Sequence, residues 1–140
     1  MAEFYDILKD EDQIEISNFY GISPDTLSIY LSLLSNFRNV CAHEDILYDH
    51  RTQRVVPDSR FHKLLEIEKD EDGYIYGKND LFSLVIILKV MLSKKNFDEM
   101  IDEIKKEVDE LDKCVDVVPL ETILNRIGFP NNWYDIKRLD

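Results

Sequence analysis

The stretch LFSLVIILKVML at residues 81–92 is apolar on almost every side of a helix, and this constrains the fold more than any other feature of the chain. A helix of that kind lies either in a bilayer or at the centre of a packed protein. Ser83 and Lys89 interrupt it, and it is well short of the roughly 18 residues that a membrane span requires. It is therefore expected to be the buried helix of a bundle, capped at its start by Asn79 or Asp80, with the other elements wrapped around it.

The patterns on either side are one-faced, as wrapping helices require. Residues 12–20 read as a short helix that Gly21 ends, and Ser23-Pro24 supplies an N-cap followed by proline at the first helical position. Residues 24–47 then read as a long helix whose apolar stripe runs Leu27, Tyr30, Leu34, Phe37, Cys41 at spacings of three and four. Phe97, Ile101, Ile104, Val108 and Leu111 repeat that spacing on a helix with a strongly acidic outer face. A last helix is expected from Pro119 to Ile127, closed by Gly128 and Pro130.

Between residues 50 and 78, Pro57, Gly73 and Gly77 punctuate the chain. Two β-favouring patches, Arg54-Val55-Val56 and Tyr74-Ile75-Tyr76, fit an irregular connection with a small hairpin. A length of 140 residues is that of one domain, and the chain has no internal repeat. The expected architecture is one all-α domain over residues 1–140, a bundle of about five helices with an irregular connection around residues 50–78.

The N-terminus has no basic region followed by an apolar one, which argues against a secretory signal. The two cysteines, Cys41 and Cys114, lie in helical patterns without framework spacing, as expected of small core-filling thiols in a reducing cytoplasm. The formal charge of −12 counts against nucleic-acid binding by the whole surface, since phosphate affinity comes largely from Lys and Arg. Its distribution is uneven. Arg38, Arg51, Arg54, Arg60 and Lys63 face only Glu44, Asp45, Asp49 and Asp58 between residues 38 and 63, and all three histidines, His43, His50 and His62, fall in the same segment. An anion site is expected there if anywhere.

Within that segment, FRNVCAH at residues 37–43 sets an Arg, a carboxamide and a His within about one and a half helical turns. Asn39 and His43 stack on one face, while Arg38 lies roughly 140° around the axis from His43 and beside the apolar stripe. A guanidinium there requires a partner or a cleft. RNA cleavage needs a base for the 2′-OH proton, an acid for the departing 5′-oxygen, and positive charge on the crowded phosphorane. An imidazole at His43 supplies the first two, and the planar fork of Arg38 holds two non-bridging oxygens at once. Asn39 would orient the imidazole or the phosphate. The bland reading makes Arg38 an ion-pair partner and His43 a satisfied histidine. His50 and His62 read as solvated singletons, and Cys41 and Ala42 as small residues for close packing. No Cys-His-Asn triad and no zinc spacing is present.

The run at residues 38–43 resembles the R-N-x-x-x-H signature of the HEPN superfamily, and RNVCAHEDILYD resembles its abortive-infection (Abi-like) branch. YGKNDLFSLVIILKVML at residues 76–92 and IGFPNNW at 127–133 are similar to phrases of that family in the same order, so that the likeness runs over most of residues 12–135. The resemblance implies a HEPN-like helical bundle and a metal-independent ribonuclease, with catalytic Arg38, Asn39 and His43 paired across a homodimer. It implies no cofactor, no metal and no membrane; the partners would be RNA, a second copy, and an antitoxin or phage-derived trigger. Family members commonly carry an Arg three after the motif His, where this chain has Ile46, and a further N-terminal helical half, so that the chain reads as a short member or the C-terminal part of a longer architecture. The alternative is a non-catalytic HEPN scaffold or binding module in a defence or toxin–antitoxin system.

Overall fold

Ser23 and Pro24 start the motif-bearing helix as their chemistry requires: the Ser23 hydroxyl accepts from the Thr26 N–H at 3.2 Å, and Pro24 occupies the first helical position. The computed structural model describes residues 1–140. Its elements in chain order are α1 (Ala2–Asp6), α2 (Asp10–Phe19), α3 (Pro24–Ala42), α4 (Arg60–Leu64), the strands β1 (Lys69–Asp70) and β2 (Gly73–Tyr74), α5 (Leu81–Met91), α6 (Lys94–Cys114), α7 (Leu120–Ile127) and a 3₁₀ helix at Trp133–Arg138. The fold is an all-α bundle. Its five helices of eight residues or more are those read from the sequence, with short α1, α4 and the 3₁₀ helix added.

The apolar helix α5 is the centre. Phe82, Val85, Ile86 and Ile87 are buried in a core that also takes Tyr30 and Leu33 of α3, Phe97 and Ile101 of α6, Leu124 of α7, and Phe129, Trp133 and Ile136 beyond it. Asp80 caps α5, its carboxylate accepting the Ser83 N–H at 2.9 Å. A smaller cluster of Tyr5, Leu27 and Leu31 holds α1 against the outer side of α3.

Four expectations need correction. α3 stops at Ala42 rather than continuing to residue 47. Its inward face follows Phe37 with Val40 rather than Cys41, because the next turn of the stripe is met at a step of three; Cys41 is left in solvent at the helix end. Cys114 is exposed as well, being the last residue of a helix whose buried positions, Phe97 and Ile101, lie in its first turns. Neither thiol fills the core. Arg54–Val56 forms no strand, and the antiparallel hairpin is only β1 and β2, pairing Lys69 with Tyr74 and Asp70 with Gly73.

His62 is the fourth correction. It is fully buried, with Nδ1 2.9 Å from the Ser59 hydroxyl, Nε2 2.9 Å from the Gly77 carbonyl, and its ring stacked on Tyr74. The connection it anchors is tied to the bundle by backbone bonds from the Val56 N–H to Lys78 O at 2.7 Å and from the Thr52 N–H to Asn79 O at 2.9 Å. No helix is long and apolar enough to cross a membrane.

Candidate functional site at the end of the third helix

Phe37 and Val40 turn inward, and this sets the direction of every motif side chain around them. With Val40 rather than Cys41 on the core side, Arg38 stands about 130° from the midpoint of the last two inward residues, Phe37 and Val40, where Phe37 and Cys41 would have left it about 80° away. It is exposed and makes no salt bridge, so the need for a partner or cleft inferred from the sequence disappears. Asn39 is exposed on the opposite flank. His43 is the C-cap, its backbone N–H still donating to Asn39 O at 3.0 Å, and its side chain is in solvent. Asn39 and His43 are thus joined through the backbone, while Arg38 remains on another side of the helix. The trio lies outside the larger concavities of the molecule.

The helix ends in a left-handed turn. Glu44 has φ 55°, the Asp45 N–H donates to Val40 O at 3.1 Å, and the Glu44 N–H reaches toward Cys41 O at 3.4 Å. This is the six-to-one and five-to-two pattern of a Schellman ending, with Glu44 in the place that glycine usually takes. The chain then folds back along α3. His50 Nε2 lies 2.6 Å from Asn36 Oδ1 and its ring packs edge-on against Phe37, so His50 is half-buried and held rather than solvated. Arg51 donates to the Arg126 carbonyl at 2.6 Å, and Arg126 lies 3.5 Å from Asp49. The segment after the motif is thus pinned to both α3 and α7. The Asn36–His50 pair carries no sequence signal, since neither residue belongs to a spacing motif.

The cations of residues 38–63 do not gather on the motif. Arg51 is spent on the α7 contact, Arg60 lies at the start of α4, and the residues next to His43 are the exposed Glu44 and Asp45. No three His, Cys, Asp or Glu side chains converge as ligands for one ion. What the site offers is an exposed guanidinium, a carboxamide and an imidazole at a helix end.

The model of the Abi-like protein family matches residues 1–49, which hold α1 to α3 together with Arg38, Asn39 and His43. The match covers about a third of the chain, which is similar to the Abi-like family there; the phrases at 76–92 and 127–133 lie outside it. No curated protein and no solved structure matches the chain at a significant level.

Proposed function

We propose that the protein is the ribonuclease of an abortive-infection system, a HEPN-type endonuclease that cuts RNA without a metal ion at a site shared by two copies. The observation that carries this reading is the exposure of Arg38, Asn39 and His43 together at the end of α3, inside the segment that matches the Abi-like family. One imidazole takes the 2′-OH proton, the 2′-oxygen attacks phosphorus, and the 5′-oxygen leaves with a proton from the imidazole of the second copy. Arg38 holds the phosphorane charge. Because one helix separates Arg38 from His43 around its axis, the second copy supplies the groups that one protomer cannot converge. An antitoxin or a phage-derived trigger would control the activity.

The direct test is incubation of the pure protein with mixed RNA beside its variants. Arg38→Ala and His43→Ala are each expected to lower cleavage by about 100-fold or more, and Arg38→Lys to fail as well, because an ammonium lacks the two-pronged geometry. Melting temperatures must stay near wild type for the loss to count as catalytic. A second reading, a non-catalytic scaffold or binding module, is favoured by Ile46, which is 62% exposed where the family commonly has Arg, and by the acidic pair after His43. Wild type and His43→Ala equally inert toward RNA, and equally harmless in cells, would establish the scaffold in place of the nuclease.

A further inference from the structure

Helix α6 runs past the core it packs on. Its apolar positions, Phe97, Ile101, Ile104, Val108 and Leu111, alternate steps of four and three, the repeat of a helix that meets another along a seam. The bundle covers only the first part of that seam. Phe97 and Ile101 are buried, Ile104 and Val108 are half-buried, and Leu111 is 37% exposed.

Helix α7 leaves the rest open. Its Leu124 and Ile127 stand across from Met100, Ile104, Val108 and Leu111, and the apolar groove between them has a volume of about 410 Å³. Glu103 and Glu107, one turn apart on the α6 edge, are the only charged side chains that line it. Neither makes a salt bridge. Four other carboxylates of α6 are matched within the chain, Glu99 by Lys95, Asp102 by Lys137, Asp109 by Lys105 and Glu110 by Lys113, but no Lys or Arg lines the groove.

This combination of apolar floor and acidic edge selects an occupant. A second copy would bring another surface of a chain of charge −12 against the two glutamates, and an anionic lipid surface would be repelled by them. A helix with an apolar stripe and Lys or Arg beside it satisfies both features, since the stripe completes the seam and the cations meet Glu103 and Glu107. From Met100 to Leu111 the seam extends about 17 Å, or roughly three turns of such a helix. We propose that the groove between α6 and α7 is a docking site for a basic amphipathic helix of another protein. It shares no residue with the Arg38–His43 site, and the assignment does not depend on RNA cleavage.

The probe is a synthetic helix-forming peptide with leucines at steps of three and four and lysines beside them, followed by fluorescence anisotropy with the full chain. It is expected to bind with a Kd of about 10 μM or tighter. An analogue with glutamates for the lysines should bind at least about tenfold more weakly, and one with serines for the leucines should not bind. Leu111→Ser, at a position already open to solvent, should weaken binding by about tenfold with a melting temperature near wild type. The double variant Glu103→Lys, Glu107→Lys should prefer the glutamate analogue. Glu11→Lys, Glu15→Lys makes the same change of charge at the same spacing on α2 and should keep the wild-type preference. The proposal is overturned if the lysine peptide does not bind the folded protein, if its glutamate analogue binds as tightly, or if the α2 variant switches preference as the α6 variant does. Leu111→Ser binding like wild type would also overturn it, as would a dimer of the free chain that Leu111→Ser dissolves, which would put a second copy in the groove.

Discussion

Glu44 holds a left-handed backbone conformation, φ 55°, in the residue directly after His43. A side chain there costs roughly 1–2 kcal/mol, and a carboxylate at a helix C-terminus also opposes the dipole. Glu44→Gly is therefore expected to raise stability by about 1 kcal/mol in urea unfolding; no gain would mean that the turn relaxes in solution. Two buried groups set the response to pH. Burial pushes the Asp80 carboxyl up to about 6, against the pull of the Gly77 and Ser83 N–H groups. Burial likewise pushes the His62 imidazole down, against its bond to the Gly77 carbonyl.

The signs are opposite. A raised carboxyl favours the fold below its unfolded value, and stability is lost as pH rises from about 4 to about 6, by an amount on the order of 3 kcal/mol. A depressed imidazole favours the fold above about 6.5 and loses that support as pH falls below it. Asp80→Asn keeps a capping oxygen, and its stability relative to wild type is expected to improve between pH 5 and 7. His62→Gln is expected to lose least, relative to wild type, at the acid end of that range. Urea midpoints across pH 5–8 that run parallel for all three proteins would contradict both assignments.

At the level of elements, what the sequence spelled out was whatever local chemistry decides. Ser23-Pro24 fixes the start of α3, the all-round apolarity of residues 81–92 fixes the centre, and Gly128 ends α7 with φ 100°. Helix α4 has five residues and each strand two, lengths at which no periodicity develops; they exist through long-range bonds such as that of the Asn132 side chain to Leu65 O at 2.9 Å. The burial of His62 is invisible to local sequence for the same reason, since it depends on Gly77 and Tyr74, which lie beyond any local window. In the candidate site, the choice of Val40 over Cys41 hung on a step of three or four between two apolar residues, and that choice turned Arg38 outward.

The junction of α7 with α5 gives a sharper test. A Cβ on Gly128 would overlap the Asp80 side chain, and φ 100° is strained for any other residue. Gly128→Ala should cost about 3 kcal/mol or more through overpacking and backbone strain together. An unchanged urea midpoint would mean that the two elements do not meet as described.

For the whole molecule, the charge of −12 bears on assembly. Two copies of so acidic a chain repel, and salt screens that repulsion. The proposed two-fold dimer is therefore expected to sediment as a dimer at micromolar concentration and to tighten as salt rises. A monomer under all these conditions, or a dimer whose motifs face apart, would rule out the shared site. Because no carboxylate cluster with metal-ligand geometry flanks Arg38, Asn39 and His43, cleavage is expected to survive EDTA and to leave a 2′,3′-cyclic phosphate. Full inhibition by EDTA that magnesium reverses would overturn this.

Gly128 seats against Asp80 at the cap of the central helix, and Phe129 and Trp133 follow it into the core, Phe129 meeting Phe82 with ring centres 5.2 Å apart. On the ribosome, the motif helix is therefore made long before the residues that complete the packing around its supporting core. Until translation has passed Ile136, the nascent chain carries Arg38 and His43 on a helix whose supporting core is still unfinished.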